Sequence, residues 1–405
     1  MKPAVTVRMY NVGFGDAFLV TIPDGTKQRT ILMDCGSISK AEDGEAIADI
    51  AGQIVDAVTP SGGKPRIDVV VMSHRHKDHV AGFAKADVWK DVEVGEVWMP
   101  WTENPKDPEA TRIRERQLKL TEALGRALAA RPVGEATLQA VLNAAGNEAA
   151  MDTLHRGFSG SPERRFLPKK GERQVDTEIL GKKVKVHVLG PSRVESVIRD
   201  IDPPRAESYL RLGAAAGNGA PARDVAPFGP QWRLQPAEFA RPEWAHLALD
   251  AATIAAIDNA DELMSPELAA TLDKAINGTS LVLVLEIGTA CLLFPGDAQW
   301  GTWDAILNDV EWRDLLQRCT FLKVGHHGSH NATPISFVEK LLPKDLWAMV
   351  STRPVKQWPN IPRAPLLTAI SKRTSKLARS DKDSDAPTPA FSVKGDYIEA
   401  KIPIG

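Results

Sequence analysis

Two rhythms of apolar and polar residues divide the N-terminal part of the chain. VTVRMY, AFLVTI and TILMDCG are short β-rich runs separated by NVGFGD and PDGTKQ, whose Gly, Pro and Asp residues favour turns. They predict an N-terminal meander or hairpin. Residues 42–58 (EDGEAIADIAGQIVDAV) place apolar side chains at helical spacing before a Pro/Gly-rich break, and RIDVVVMSH then reads as a buried strand ending at His74.

From about 105 to 150 the pattern turns helical and rich in Ala, Leu, Arg and Glu, which predicts a helical insertion over about 103–165. QVDTEILG and KKVKVHVLG predict a strand pair that ends at Gly190-Pro191-Ser192. The stretch from about 200 to 245 lacks periodicity and is rich in Pro, Gly, Ala and Arg, so a long irregular loop is expected there. Residues 260–276 predict an amphipathic helix, and TSLVLVLEIG with ACLLFPGD predicts an apolar hairpin through Gly288-Thr289. Next come a helix (WGTWDAILNDVEWRDLLQR), a buried strand (TFLKVG), the polar HHGSHNATP and a helix (ISFVEKLLP). The chain closes with strand AMVST, helix APLLTAISKRT, a basic and polar stretch SKLARSDKDSD, and a strand pair around PAFSVKGDYIEAKIPI. No internal repeat is visible, and residues 1–405 read as one α/β domain.

With 405 residues, 43% hydrophobic and 25% charged, the chain has material for a large core. No apolar run approaches the roughly 18–20 residues needed to cross a bilayer. The start, MKPAVTVRMYNVGFGD, has no apolar run long enough for a secretory signal, so a cytoplasmic protein without a membrane partner is expected. Cys35, Cys291 and Cys319 lie far apart and suit core positions rather than a disulfide framework or a CxxC clip. A net charge of −2 gives no global attraction to nucleic acid. The composition points to no particular protein partner.

The chemistry concentrates in SHRHKDHVAG. Of nine histidines in the chain, three stand with an aspartate in the six residues from His74 to His79. Imidazoles and carboxylates just past a buried strand are the donors that zinc or manganese requires, and a turning backbone lets His74 and His76 face one point while Asp78 and His79 face another. Two further clusters follow apolar strands: FPGDAQ exposes Asp297, a carboxylate able to bridge two ions, and FLKVGHHGSH presents His326 and His327. Either histidine of that pair could complete the second metal. Ser329, His330, Asn331 and Thr333 follow in the same loop; Thr333-Pro334 suits a helix start, while His330 is placed to touch substrate.

In the order NVGFGDAFLV, ILMDCG, HRHKDH, LLFPGD and LKVGHHGSHNAT, the sequence resembles the metallo-β-lactamase superfamily. It is most similar to the branch that includes the hydrolase domain of bacterial competence (DNA-uptake) channel proteins. The resemblance covers roughly residues 5–36, 66–83, 180–192 and 277–352, with Asn11 where that branch opens on Asp. It implies an αββα sandwich of two mixed sheets with helices on the outer faces. It also implies two divalent metals, zinc or else manganese: His74 and His76 on the first, Asp78, His79 and His326 on the second, and Asp297 bridging them. A hydroxide between the metals would be the nucleophile, with Asp78 and His330 as catalytic residues and Asp34 supporting a ligand histidine from behind. Many superfamily members supply a third histidine to the first metal after a strand; here that place reads VLGPS, and His187 lies three residues before Gly190.

The resemblance implies a metal-dependent hydrolase acting on phosphodiesters, as a nuclease or phosphodiesterase with a nucleic-acid or phosphodiester partner. A hydrolase of a small ester, thioester or lactone and a non-catalytic metal-containing partner module are the alternatives. Basic groups at Lys169, Lys170 and Arg173, at Lys182, Lys183 and Lys185, and at Lys372, Arg373, Lys376 and Arg379 could follow a polyanion or be solvated faces. Trp98, Trp101, Trp300, Trp303 and Trp312 could form an aromatic wall or pack in the core.

Overall fold

Strict alternation makes a strand amphipathic, and in the computed structural model the N-terminal runs become strands β1 (Ala4–Tyr10), β2 (Ala17–Asp24) and β3 (Lys27–Cys35), paired antiparallel. The structure describes residues 3–39, 46–130, 141, 143–145, 147–209, 272, 274–356 and 358–405. The apolar run in RIDVVV becomes the parallel strand β4 (Arg66–Val71), buried on both faces beside β3, and the parallel strands β5 (Glu93–Pro100) and β6 (Glu163–Leu167), which also carry partly exposed charged residues, continue from it. Next in sequence, β7 (Gln174–Val175), β8 (Val184–Gly190), β9 (Val282–Ile287) and β10 (Ala290–Phe294) pair antiparallel. Parallel strands β11 (Phe321–Lys323), β12 (Trp347–Val350) and β13 (Leu377–Arg379) extend that second sheet. Finally β14 (Phe391–Lys394) and β15 (Tyr397–Pro403) return to the edge of β1.

Two mixed sheets result, ordered β14-β15-β1-β2-β3-β4-β5-β6 and β13-β12-β11-β10-β9-β8-β7. Side-chain period 2 sorts their residues into layers. Val69 and Val71 of β4 meet Leu283 and Leu285 of β9, Leu292 of β10 and Phe321 of β11 in one core between the sheets. The alternate residues of the same strands face outward. Val70 joins Ile50, Ile54, Phe83 and Trp89 under the helix Ile47–Ala57, whereas Val282, Val284 and Leu293 join Trp303, Leu316 and Ile370 under the helices Trp300–Asn308, Val310–Leu316 and Ala364–Ser371. The fold is α/β, with two mixed sheets facing each other across that core and helices packed outside them.

Most of the expected elements form, and the departures have local causes. The helix Pro108–Ala130 occupies the expected insertion, started by Asp107, whose Oδ1 accepts from the backbone N–H groups of Glu109 and Ala110 at 3.0 and 3.2 Å. The insertion ends sooner than expected, because β6 begins at Glu163 and pairs with β5. QVDTEILG yields only the two residues of β7, since Thr177 turns its hydroxyl to Glu96 at 2.8 Å and accepts from the N–H of Ile179, diverting the backbone from the ladder. β13 forms inside the basic stretch SKLARSDKDSD. The helix expected over 260–276 and the loop expected over about 200–245 fall for the most part outside the described residues. Among the described residues no helix is long and apolar enough to cross a membrane.

Leu285, fully buried between the sheets, and Val393, 43% exposed on β14, test this layering. Leu285→Ala is expected to lower stability by about 2–5 kcal/mol. Val393→Ala should stay within about 0.5 kcal/mol. Urea denaturation measures both, and equal losses would contradict the placement of the core.

Candidate metal centre

The parallel strands of both sheets end at the same place, where the backbone leaves the ladder and side chains can converge. Asp34 lies in the last turn of β3, His74 follows β4, Asp297 follows β10, and His326 and His327 follow β11. The helical turn Lys77–Val80, opened at His76, presents Asp78 and His79 together. Gly36 allows it to sit on the end of β3, because a Cβ there would lie 2.3 Å from the backbone nitrogen of His79. Asp16 N–H donates to the Asp78 carbonyl at 2.9 Å and locks the same contact from β2.

Three groups of potential ligand atoms form, each within 4.8 Å mutually: His74, His76 and Asp78; Asp78, His79, Asp297 and His327; and Asp16, Asp34 and His79, whose carboxylates are already engaged by Lys323 and Ser73. The first two share Asp78 and span six residues. All six residues are 3% exposed or less. In the first group His74 Nε2 and His76 Nδ1 stand 3.1 Å apart. In the second, His79 Nε2 lies 3.2 Å from Asp297 Oδ2, and His327 Nε2 lies 3.1 Å from Asp78 Oδ2.

Outer partners fix the imidazole orientations. His79 Nδ1 is 2.8 Å from Asp34 Oδ2, so its N–H points there and Nε2 is left for the centre. His327 Nδ1 donates to the Ser351 carbonyl at 2.9 Å, leaving its Nε2 inward as well. Ser73 Oγ donates to Asp34 at 2.6 Å and lies 3.1 Å from His74 Nδ1. Asp34 thus supports His79 directly and His74 through Ser73.

Burial and charge divide the histidines. Burial, with the neighbouring imidazoles, holds His74 well below its ordinary value, and burial brings His76 down to about 4. His79 is also penalised by burial, but Asp297, Asp78 and Asp34 overcome this and raise it well above the ordinary value; His327 is raised in the same way by its bond to Asp78 and by Asp16. Burial alone would raise Asp78 and Asp297, yet both are lowered, Asp78 chiefly by His79 and His327 and Asp297 by His79 and Lys323. Lys323, 3% exposed, pairs with Asp16 and lies 3.5 Å from Asp297 Oδ1; burial opposes its charge, and these carboxylates raise it nevertheless.

The structure brings together His74, His76, Asp78, His79 and Asp297 as the sequence anticipates. From the histidine pair it places His327 in the four-residue group, while His326 reaches 3.9 Å from Asp297 Oδ2 at the rim. Both adopt left-handed backbone, with φ of 47° and 52°. His330 stands outside all three groups, its imidazole brought down to about 4 by burial and then by Arg363, His326 and Lys274. His187 lies away from them, bonded to Glu286 at 2.6 Å. Ser329 and Asn331 bond each other at 2.8 Å, and Asn331 donates to Gln299 at 2.7 Å.

Three contributors escaped sequence reasoning. Asp16 and Lys323 sit inside motifs that carried the resemblance, and that position was the available signal; their buried pairing shows only in the structure. Asn277 gave none, because Asn-Gly is an ordinary turn; its Oδ1 lies 2.8 Å from His76 Nδ1. Trp98, Trp101 and Trp303 are fully buried, so they belong to the core rather than to an aromatic wall. The three cysteines are buried and form no disulfide, although Cys291 Sγ and Cys319 Sγ lie 3.6 Å apart. Arg173 is spent on Asp309 and Glu311, Lys376 on Asp345 and Arg379 on Asp381. Neither a family model nor a curated protein matches this chain.

The buried donors fit a divalent cation: Asp78 Oδ1 has no hydrogen-bond partner among the described residues, and carboxylates outnumber fixed cations. Metal loading competes with protons that His79 and His327 hold more firmly than an ordinary imidazole, whereas His74 and His76 give theirs up more readily. Protons should be released on loading, with affinity rising as pH rises. Calorimetry in buffers of different ionisation enthalpy reads this, and absence of proton release would contradict the assignment of His79 and His327.

Proposed function

We propose that this chain is a metal-dependent hydrolase of the metallo-β-lactamase type, acting on phosphodiesters. The observation that carries the reading is the pair of ligand groups sharing Asp78, buried where the strands of both sheets end. A single structural ion needs only four closed ligands, and six converge here. On this reading His74, His76 and Asp78 hold one cation, and Asp78, His79, Asp297 and His327 hold the other, zinc or manganese. Bound metals would supply Lewis-acid stabilisation and an activated water.

The chain's own residues prepare that chemistry. Asp34 and the Ser351 carbonyl keep His79 and His327 in the tautomers that turn Nε2 inward. Lys323 with Asp16 balances part of the buried negative charge without filling the donors. The loop carrying His326 and His327 is covered by the segment ending at Arg363, whose N–H donates to the Gly328 carbonyl at 2.9 Å. Arg363 Nε is buried without a partner among the described residues, which favours an anionic substrate over a neutral lactone or ester. His330 is neutral at physiological pH and serves as a hydrogen-bonding group for a phosphoryl oxygen rather than as a cation.

Purified protein should turn over bis-p-nitrophenyl phosphate or single-stranded nucleic acid in proportion to bound metal. The double variant Asp78→Ala with His79→Ala should lose more than about 100-fold in kcat/KM, and Asp34→Asn about 10–100-fold. Unchanged activity in the double variant would overturn the mechanism, and turnover of lactones alone would overturn the substrate class.

A further inference from the structure

The first ligand group has only two imidazoles, and the strand end at Gly190-Pro191-Ser192 offers no third. The structure brings in another donor from elsewhere. Asn277 lies at the turn before β9, 1% exposed, with its carbonyl accepting from Ser280 N–H at 3.0 Å. Its Nδ2 faces His326 Nε2 at 3.5 Å, which turns Oδ1 toward His76 Nδ1 at 2.8 Å.

Counting protons shows why this contact points to a cation. Ser73 Oγ donates to the Asp34 carboxylate at 2.6 Å, so at His74 it accepts, and His74 Nδ1 carries the proton. His74 Nε2 therefore presents a lone pair to His76 Nδ1, and Asn277 Oδ1 presents another. His76 Nδ1 has at most one proton for two acceptors. The separations of 3.1 and 2.8 Å are shorter than the about 3.3–3.6 Å edge of a tetrahedral site and match the about 2.8–3.1 Å edge of a six-coordinate one whose donors stand about 2.0–2.2 Å from the ion. A cation at their common focus would satisfy all three.

We propose that Asn277 is a ligand of the first metal, its Oδ1 completing the set of His74 Nε2, His76 Nδ1 and Asp78. This rests on the two-metal reading above. A neutral amide oxygen is a harder and weaker donor than imidazole, so this site binds zinc less tightly than the site of Asp78, His79, Asp297 and His327, and it tolerates manganese better.

The test is a titration of metal-stripped protein with zinc and with manganese, followed by calorimetry and by metal content after gel filtration. Far-UV circular dichroism of the metal-free variants checks folding. Wild type should bind two ions in unequal steps. Asn277→Leu should weaken the weaker step by more than about tenfold and leave the tighter one unchanged. Asn277→Asp should restore the weaker step, and Asn277→His should tighten zinc there while losing the tolerance for manganese. A residue that merely orients His76 would not gain zinc affinity on becoming histidine. Two ions bound with wild-type affinities in both the Leu and His variants would overturn the assignment of Asn277 while leaving the hydrolase reading intact. No metal bound by wild type would overturn both. Should Asn277→Leu fail to fold, Asn277→His carries the test alone, tightened zinc supporting the proposal and unchanged affinity refuting it.

Discussion

Four carboxylates, those of Asp16, Asp34, Asp78 and Asp297, are each 5% exposed or less and gather at one end of the two sheets. Isolated buried charges are prohibitively costly, so every nearby feature is constrained to compensate them. Asp34 accepts the N–H and hydroxyl of Ser73 and the imidazole of His79. Asp16 takes the ammonium of Lys323. Asp78 and Asp297 are left facing imidazoles, and they raise the proton affinity of His79 and His327 in turn. The positive charge that imidazoles of raised proton affinity supply in the free protein is what divalent cations would replace, at closer range and with higher charge.

Such a cluster survives because the rest of the fold is rigid around it. The inter-sheet core and the two outer layers fix the strand ends, and the ends fix the ligands. The local backbone is less relaxed: Asp34, His326 and His327 are left-handed, with φ of 58°, 47° and 52°. Non-glycine residues there cost on the order of 1–2 kcal/mol each. The strain is offset by specific bonds, such as His326 N–H to Asp297 Oδ1 at 3.1 Å and Ser329 N–H to the His326 carbonyl at 2.8 Å. Strain concentrated at convergent side chains is what a site selected for geometry, rather than for stability, would show.

The sequence made the main chemistry legible where ligands are close in the chain or follow an apolar strand directly. His74, His76, Asp78 and His79 are local, and Asp297 and the histidine pair mark strand ends that periodicity locates. It did not decide between His326 and His327, because consecutive left-handed residues abolish the alternation that would assign neighbouring side chains to opposite faces. Nor could it find Asn277, which meets His76 across 201 residues of chain. β6 and β13 were missed because their residues are charged and half-covered, with pattern subordinate to pairing.

Composition left two readings of the basic groups open, and pairing, not residue type, settles what several of these cations do. Arg173 stacks on Trp312 at 3.9 Å and pairs with Asp309 and Glu311, while Arg373 binds the Leu342 carbonyl. These cations tie helices and loops to the sandwich. Their charge is therefore unavailable as a track for a polyanion. Arg363 differs because its Nε is buried beside the histidine loop with no acceptor among the described residues. A desolvated donor left open costs free energy in the resting protein, which on the proposed reading an anionic ligand would recover. On that reading, local electrostatics at the loop rather than the net charge of −2 would govern what the centre admits.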